Sequence, residues 1–128
     1  MEFTSEIRIA TNPIYKKISK AVPEIEWSTH APYIYKINNL KKAKKAVILA
    51  HNYQTPEIYH GISDFSADSL ALAIEASKTE AEIIVMCGVH FMAETAKLMS
   101  PDKKVLLPDM TAGCSLSASI SGEDVRNL

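Results

Sequence analysis

Cysteine is scarce in this chain of 128 residues: there are two, Cys87 and Cys114, and they form no CxxC pair. Two thiols make no disulfide framework, so a reducing compartment, the cytoplasm, is the expected location. An excess of charge is missing too. Lys and Arg number 14 against 15 Asp and Glu, a formal charge of −1, which gives no electrostatic case for nucleic acid or an anionic membrane surface as partner. No apolar run reaches the length that spans a bilayer. The opening MEFTSEIRIA lacks the basic-then-apolar layout of a signal peptide. Internal repeats and low-complexity stretches are absent. What is present is an ordinary globular balance, 47% apolar and 23% charged, in a length sufficient for one domain with a core.

Periodicity predicts the order helix, strand, helix, helix, strand, helix, strand, helix. Asn12-Pro13 reads as the cap and first residue of a short helix through Ile18, and Pro23 and Pro32 punctuate the segment up to Tyr33. From Tyr33 to Lys45 the residues Tyr33, Ile37, Leu40 and the stem of Lys44 fall on one helical face, with KKAKK as a solvated carboxyl-terminal end. The runs Ala46 to Ala50, Glu82 to Met86 and Val105 to Leu107 are short and apolar, as buried parallel strands are. Thr55-Pro56-Glu57 opens a short helix that Gly61 ends, and Asp64 to Asp68 reads as a polar loop. A helix capped by Ser66 or Asp68 then places Leu70, Ala73, Ile74 and Ser77 on one face. His90 to Met99 does the same with Met92, Ala96 and Met99, and Pro101 comes just past its end. Ser121, with Glu123 and Asp124 behind it, opens a last helix that stops after about two turns, which makes a fragment of a longer protein the expectation. The fold class is α/β: a small parallel sheet between helices, joined by right-handed crossovers.

In an open parallel sheet, ligands bind beyond the carboxyl ends of the strands. That rule gathers His51 to Tyr53, Cys87 to His90, and Pro108 to Cys114 at one edge. His51 can donate to a carboxylate or exchange a proton near neutral pH, and Tyr53 can act as hydrogen-bond donor or acid; either can equally satisfy loop backbone groups. Ser69 stands at a helix start, where free N–H groups attract anions, or simply caps the helix. Cys114 lies in a Gly-containing loop whose setting suits metal ligation or nucleophilic chemistry. Cys87 and His90 make half a zinc site with no second half, and Cys87 reads as a small buried apolar residue. His90 and Glu94, four apart on a helix, lack a third ligand. Asp109 has no evident partner.

ILAHNYQTPEI, then DFSADSLALA, then GVHFMAETAKLMSPDKKVLLPDMTAGCSL resemble the amino-terminal domain of the quinolinate synthase family. The resemblance runs from about Ala46 to Asp124, and the segment before Tyr33 matches little. It implies three α/β domains around a pseudo-threefold axis, each contributing one cysteine to a central [4Fe-4S] cluster. One iron, without a protein ligand, acts as Lewis acid on substrate oxygen. The implied reaction is the condensation of iminoaspartate with dihydroxyacetone phosphate to quinolinate in de novo NAD biosynthesis, with L-aspartate oxidase or aspartate dehydrogenase as functional partner. Residue by residue, the resemblance makes Cys114 the cluster ligand, His51 and Ser69 substrate-binding, and Tyr53 the acid–base residue. Cys87 matches no ligand position, and Phe91, Met92 and Glu94 belong to a family motif that reads as architecture.

On this reading residues 1–33 are a variable helical segment and 34–128 the first α/β domain, with the next helix starting at 121–128. The second and third domains would be absent, and with them two cysteines, so this polypeptide alone is expected to hold no cluster and turn over no substrate. Two other readings stand beside it. One is a stand-alone α/β module that binds a small anion through His51 and Ser69 without metal. The other is an enzyme with Cys114 as nucleophile, which requires a base within hydrogen-bond reach of the thiol.

Overall fold

Two packed helices, α1 (Ser5–Ile18) and α2 (Glu24–Ala43), open the chain in the computed structural model, which describes residues 1–128. Thr4 caps α1 by accepting the Ile7 N–H at 3.4 Å, so the helix begins well before Asn12-Pro13. Pro13 sits inside it. The carbonyl of Ile9, four residues back, loses its donor there, but Ile9 is 75% exposed, on the face of α1 open to solvent, where an unpaired carbonyl costs little. α2 likewise begins at Glu24 and runs through Pro32. An internal proline costs about 3 kcal/mol. Pro32 is fully buried, and burying an apolar group of that size returns roughly 1.5–3 kcal/mol, which closes most of the gap.

The buried face of α2 is Trp27, Ala31 and Ile34, and the expected face of Tyr33 and Leu40 points outward. With Ile18 and Val22 these residues form a core of their own, in which Tyr15 stacks on Trp27 at 5.2 Å between centroids. The lysine-rich end of α2 is not wholly solvated. Lys41 keeps only 13% of its side chain exposed and donates to the Ile62 carbonyl (2.7 Å) and to Asp64 Oδ1 (2.8 Å). One turn earlier Asn38 donates to the Gly61 carbonyl at 2.8 Å. A side chain at Gly61 would collide with the Glu57 carbonyl, so glycine is what lets this turn close against α2.

Four strands follow: β1 (Ala46–His51), β2 (Phe65–Ala67), β3 (Ile83–Cys87) and β4 (Lys104–Leu106). All are parallel, in the order β2-β1-β3-β4. β2 is the strand that the expected polar loop at 64–68 conceals. It has three residues and no apolar run, and pairing alone makes it a strand. Asp64 starts it by donating its N–H to the Ile48 carbonyl and accepting the Ile48 N–H on Oδ2, each at 2.8 Å.

Helices α4 (Ser69–Lys78) and α5 (His90–Met99) pack on one face of the sheet. The core there joins Leu49, Ile84 and Met86 to Leu72, Ala76, Met92 and Ala96. The buried stripe of α4 is Leu72, Ala73 and Ala76, while the expected Leu70 and Ile74 stay exposed. Small residues win because α4 and α5 approach closely: Ala76 and Ala96 are wholly inaccessible, and the buried Ser100 hydroxyl donates to the Ala76 carbonyl at 2.7 Å. Met99, expected on the inner face of α5, is half exposed. Short α3 (Pro56–Tyr59) joins β1 to β2, and a 3₁₀ turn at Ser117–Ser119 precedes α6 (Gly122–Arg126), where Ser121 and Asp124 form a reciprocal capping box.

Burial separates two ion pairs of nearly equal length. Asp64→Ala strips Lys41 of its counter-charge and Ile48 of its acceptor, an expected cost of about 2–3 kcal/mol. Glu24→Ala breaks the exposed Arg8–Glu24 pair (2.7 Å) and is expected to cost about 0.5 kcal/mol or less. Urea unfolding of both variants reads the difference, and equal midpoints would contradict it.

Candidate active site at the carboxyl edge of the sheet

The register levels three strand ends. His51 pairs with Ala67 and Ala50 with Cys87, so the residues just past β1, β2 and β3 emerge together. The Asn52 N–H donates to the Ala67 carbonyl at 3.1 Å, tying the end of β2 to the residue after His51. Asp68 and Ser69 come next. Asp68, not Ser69, caps α4, accepting the Ala71 N–H at 2.9 Å. Ser69 is the first helical residue and half-buried, and its hydroxyl is not spent on the cap.

Tyr53 folds back on His51. The ring centroids stand 4.0 Å apart, and the Tyr53 N–H donates to His51 Nδ1 at 3.4 Å. With Nδ1 accepting, neutral His51 carries its proton on Nε2 and presents a donor. On the β3 side, a side chain at Gly88 would meet Met92 Sδ at 2.8 Å and approach His51 Cβ at 3.8 Å. The bare glycine therefore lets the start of α5 close against the end of β1.

The Cys114 loop reaches the same place. His90, at the start of α5, donates its N–H to the Ala112 carbonyl at 2.8 Å. The Tyr53 phenol titrates above its ordinary range, first through partial burial and then through the negative charge of Cys114, offset in part by the Val89 backbone N–H. The β1 end, the α5 start and the Cys114 loop thus come together here, through Gly88 against His51 and the His90 N–H on the Ala112 carbonyl. Cys114 is half-buried with a free thiol. No base hydrogen-bonds to it: His51 Nδ1 is engaged by the Tyr53 N–H instead, which removes the support for a cysteine nucleophile.

Cys87 ends β3 half-buried, and burial pushes its thiol up, away from ligand chemistry. His90 and Glu94 form an exposed pair at 3.4 Å. No three His, Cys, Asp or Glu side chains cluster as a metal site would require. An open groove of about 860 Å³ lies between α5, β4 and Met110, and none of His51, Tyr53, Ser69 or Cys114 lines it. Two features escaped the sequence reading. The Val89 N–H has no side-chain signature at all. Asp109 does have its partner, since Oδ1 accepts both the Thr111 N–H (2.8 Å) and the Thr111 hydroxyl (2.6 Å); the D-x-T spacing of a side-chain-capped turn was the signal.

The fold and this edge define an open, parallel α/β unit whose donors, one phenol and one thiol gather beyond the strand ends. The family profile described as Quinolinate synthetase A protein matches residues 35–128. The quinolinate synthase of Caulobacter vibrioides is 58% identical over 124 residues, 97% of this chain and 34% of that protein. That of Sinorhizobium fredii is 57% identical over 128 residues, all of this chain and 36% of the relative. That of Xylella fastidiosa reaches 63% over 92 residues, 72% of this chain and 27% of the relative. The chain belongs to the quinolinate synthetase A protein family, and it spans about a third of the length of the curated relatives it matches.

Removing the thiol tests its effect on Tyr53. In Cys114→Ala the phenol is expected to titrate lower than in the parent, yet still above its ordinary range because burial remains. Phenolate absorbance against pH, with Tyr53→Phe assigning the signal, reads this; an unchanged titration would contradict the influence of the Cys114 charge on Tyr53.

Proposed function

We propose that this chain supplies one wall and one metal ligand of the active site of quinolinate synthase, the enzyme that condenses iminoaspartate with dihydroxyacetone phosphate to form quinolinate for NAD biosynthesis. The observation that carries the reading is the meeting of His51, Tyr53 and the Cys114 loop at one strand edge, in a chain of this family.

Cys114 offers one soft donor, and the chain brings no further ligands to it. The donor set fits a [4Fe-4S] cluster as one contributor among several and does not fit a complete site. The other ligands then come from outside these residues, in keeping with three pseudo-threefold-related domains. The bound cluster would supply Lewis-acid polarisation of a substrate oxygen.

The chain's own residues bind and orient. Ser69 donates its hydroxyl to a substrate carboxylate, aided by the free N–H groups at the start of α4. His51 donates from Nε2 to a substrate oxygen, its ring held by the Tyr53 N–H. Tyr53, protonated at neutral pH as any phenol is, gives a proton to a leaving oxygen and takes one back. Dihydroxyacetone phosphate and iminoaspartate are both anionic, which suits the donors of His51, Tyr53 and Ser69, while the one carboxylate beside them, Asp68, is engaged as the cap of α4. Two free thiols suit a cytoplasmic setting, beside an L-aspartate oxidase or aspartate dehydrogenase that makes iminoaspartate.

Succinate, a stable four-carbon dicarboxylate, tests the wall directly. Titrated into the ¹⁵N-labelled chain, it is expected to shift the amides at 51–53 and 69–71 with a Kd of about 1 mM. Ser69→Ala is expected to weaken it roughly fivefold to tenfold, one hydrogen bond's worth. Shifts confined to α1 and α2, or none, would overturn the assignment. Iron and sulfide added anaerobically to the isolated chain are expected to give no stable [4Fe-4S] absorption, and a stable four-iron spectrum from it would refute the shared-ligand reading.

A further inference from the structure

From Pro101 onward no residue is fully buried, and Val105 of β4 packs partly buried against the core. Past β4 the loop that carries Cys114 is fastened by hydrogen bonds, and these trace back to Asp109. Asp109 Oδ1 accepts the Thr111 N–H and hydroxyl, and the Asp109 carbonyl accepts the Ala112 N–H at 3.1 Å. These three bonds fold residues 109–112 into one tight turn. The turn aims the Ala112 carbonyl at the His90 N–H, 2.8 Å away.

That last contact matters for α5 as well. The first N–H groups of a helix have no partner within it, and Val89, at the cap position, provides no side-chain acceptor. The Ala112 carbonyl takes that role for His90. Cys114 comes two residues later, and its own carbonyl accepts the Ala118 N–H at 3.0 Å. The loop is therefore fastened to α5 on one side of the thiol and to the 3₁₀ turn on the other.

We propose that Asp109 is a positioning residue for Cys114: by folding the 109–112 turn it docks the loop on the start of α5 and so fixes where the thiol sits, two residues past the docked Ala112 carbonyl. Asp109 touches neither the thiol nor a substrate and acts through the Ala112 carbonyl. The role deepens the reading of Cys114 as a metal thiolate, but its test is made without iron. A failed docking test leaves that reading intact, and a failed iron test leaves the docking intact.

The experiment compares three variants of the 128-residue chain: Asp109→Ala, Asp109→Asn and Thr111→Val. Iodoacetamide alkylation of Cys114 and Cys87 is followed separately by peptide mass, alongside hydrogen exchange of the His90 amide. Asp109→Ala is expected to raise both the Cys114 alkylation rate and His90 exchange about tenfold, the effect of losing about one net hydrogen bond in a local opening. Asparagine keeps an Oδ1 acceptor, so Asp109→Asn is expected to stay within about threefold of the parent, and Thr111→Val to fall between. Cys87 serves as the internal reference, because β3 lies in the sheet and not in the loop. Unchanged Cys114 and His90 rates in Asp109→Ala overturn the proposal. So does a parallel rise at Cys87 in both Asp109→Ala and Thr111→Val, which would make the turn a determinant of the whole fold. A failed rescue by Asp109→Asn overturns it as well.

Discussion

The site rests on the parallel pairing of β1 with β2 on one side and β3 on the other. A parallel register sends every strand in one direction, so their carboxyl ends share an edge. Here the pairs His51–Ala67 and Ala50–Cys87 bring three ends level. His51 and Tyr53 come at the end of one strand, Ser69 after a second, and Gly88 to His90 after a third. The Cys114 loop comes after β4, at the sheet's margin, and reaches the centre through its bond to His90. A slip of one residue in β1 would turn His51 to the opposite face.

The polar clamp of Lys41, Asp64 and Ile48 protects that register. Asp64 holds the first pairing of β2 to β1 with both its backbone N–H and its carboxylate, and Lys41 ties the same carboxylate to α2. The helical hairpin is thus more than an appendage. Its own core around Trp27 stiffens α2, and α2 holds the turn from which β2 starts. Stability generated far from the strand ends in this way keeps His51 and Ser69 at a fixed separation.

Much of this was legible in the sequence, and the parts that were not share a physical reason. The apolar runs at Ala46 and Ile83 announced the central strands, because both are continuous and β-branched. β2 was hidden because a three-residue edge strand carries no pattern of its own; only Leu49 to His51 opposite make it a strand. The two internal prolines misled because local propensity penalises them, whereas exposure at Ile9 and burial of Pro32 decide the outcome. On α4, bulk pointed to Leu70 and Ile74, while close helix approach selected alanines. At the site, the strand-end rule gathered His51, Tyr53 and Cys114 at one edge, whereas Ser69 read as a helix start and joined them only through family resemblance, because β2, which leads to it, was hidden. The contacts that assemble the edge were not legible, since Gly88 against His51 and Ala112 against His90 arise between segments remote in the chain. Asp109 showed the limit from the other side: its partner was two residues away, but the consequence of that turn lies on α5.

If Cys114 ligates a cluster whose remaining ligands lie outside these 128 residues, the chain should work only inside a longer protein. A chimera puts this to the test: the present chain replacing the matching third of the Caulobacter vibrioides quinolinate synthase. Iron content, visible spectrum and quinolinate formation from dihydroxyacetone phosphate and enzymatically generated iminoaspartate would be measured together, with and without Cys114→Ala. The chimera is expected to hold a [4Fe-4S] cluster and form quinolinate, and the Cys114→Ala chimera to lose both. A Cys114→Ala chimera that keeps its cluster would contradict the assignment of Cys114 as ligand.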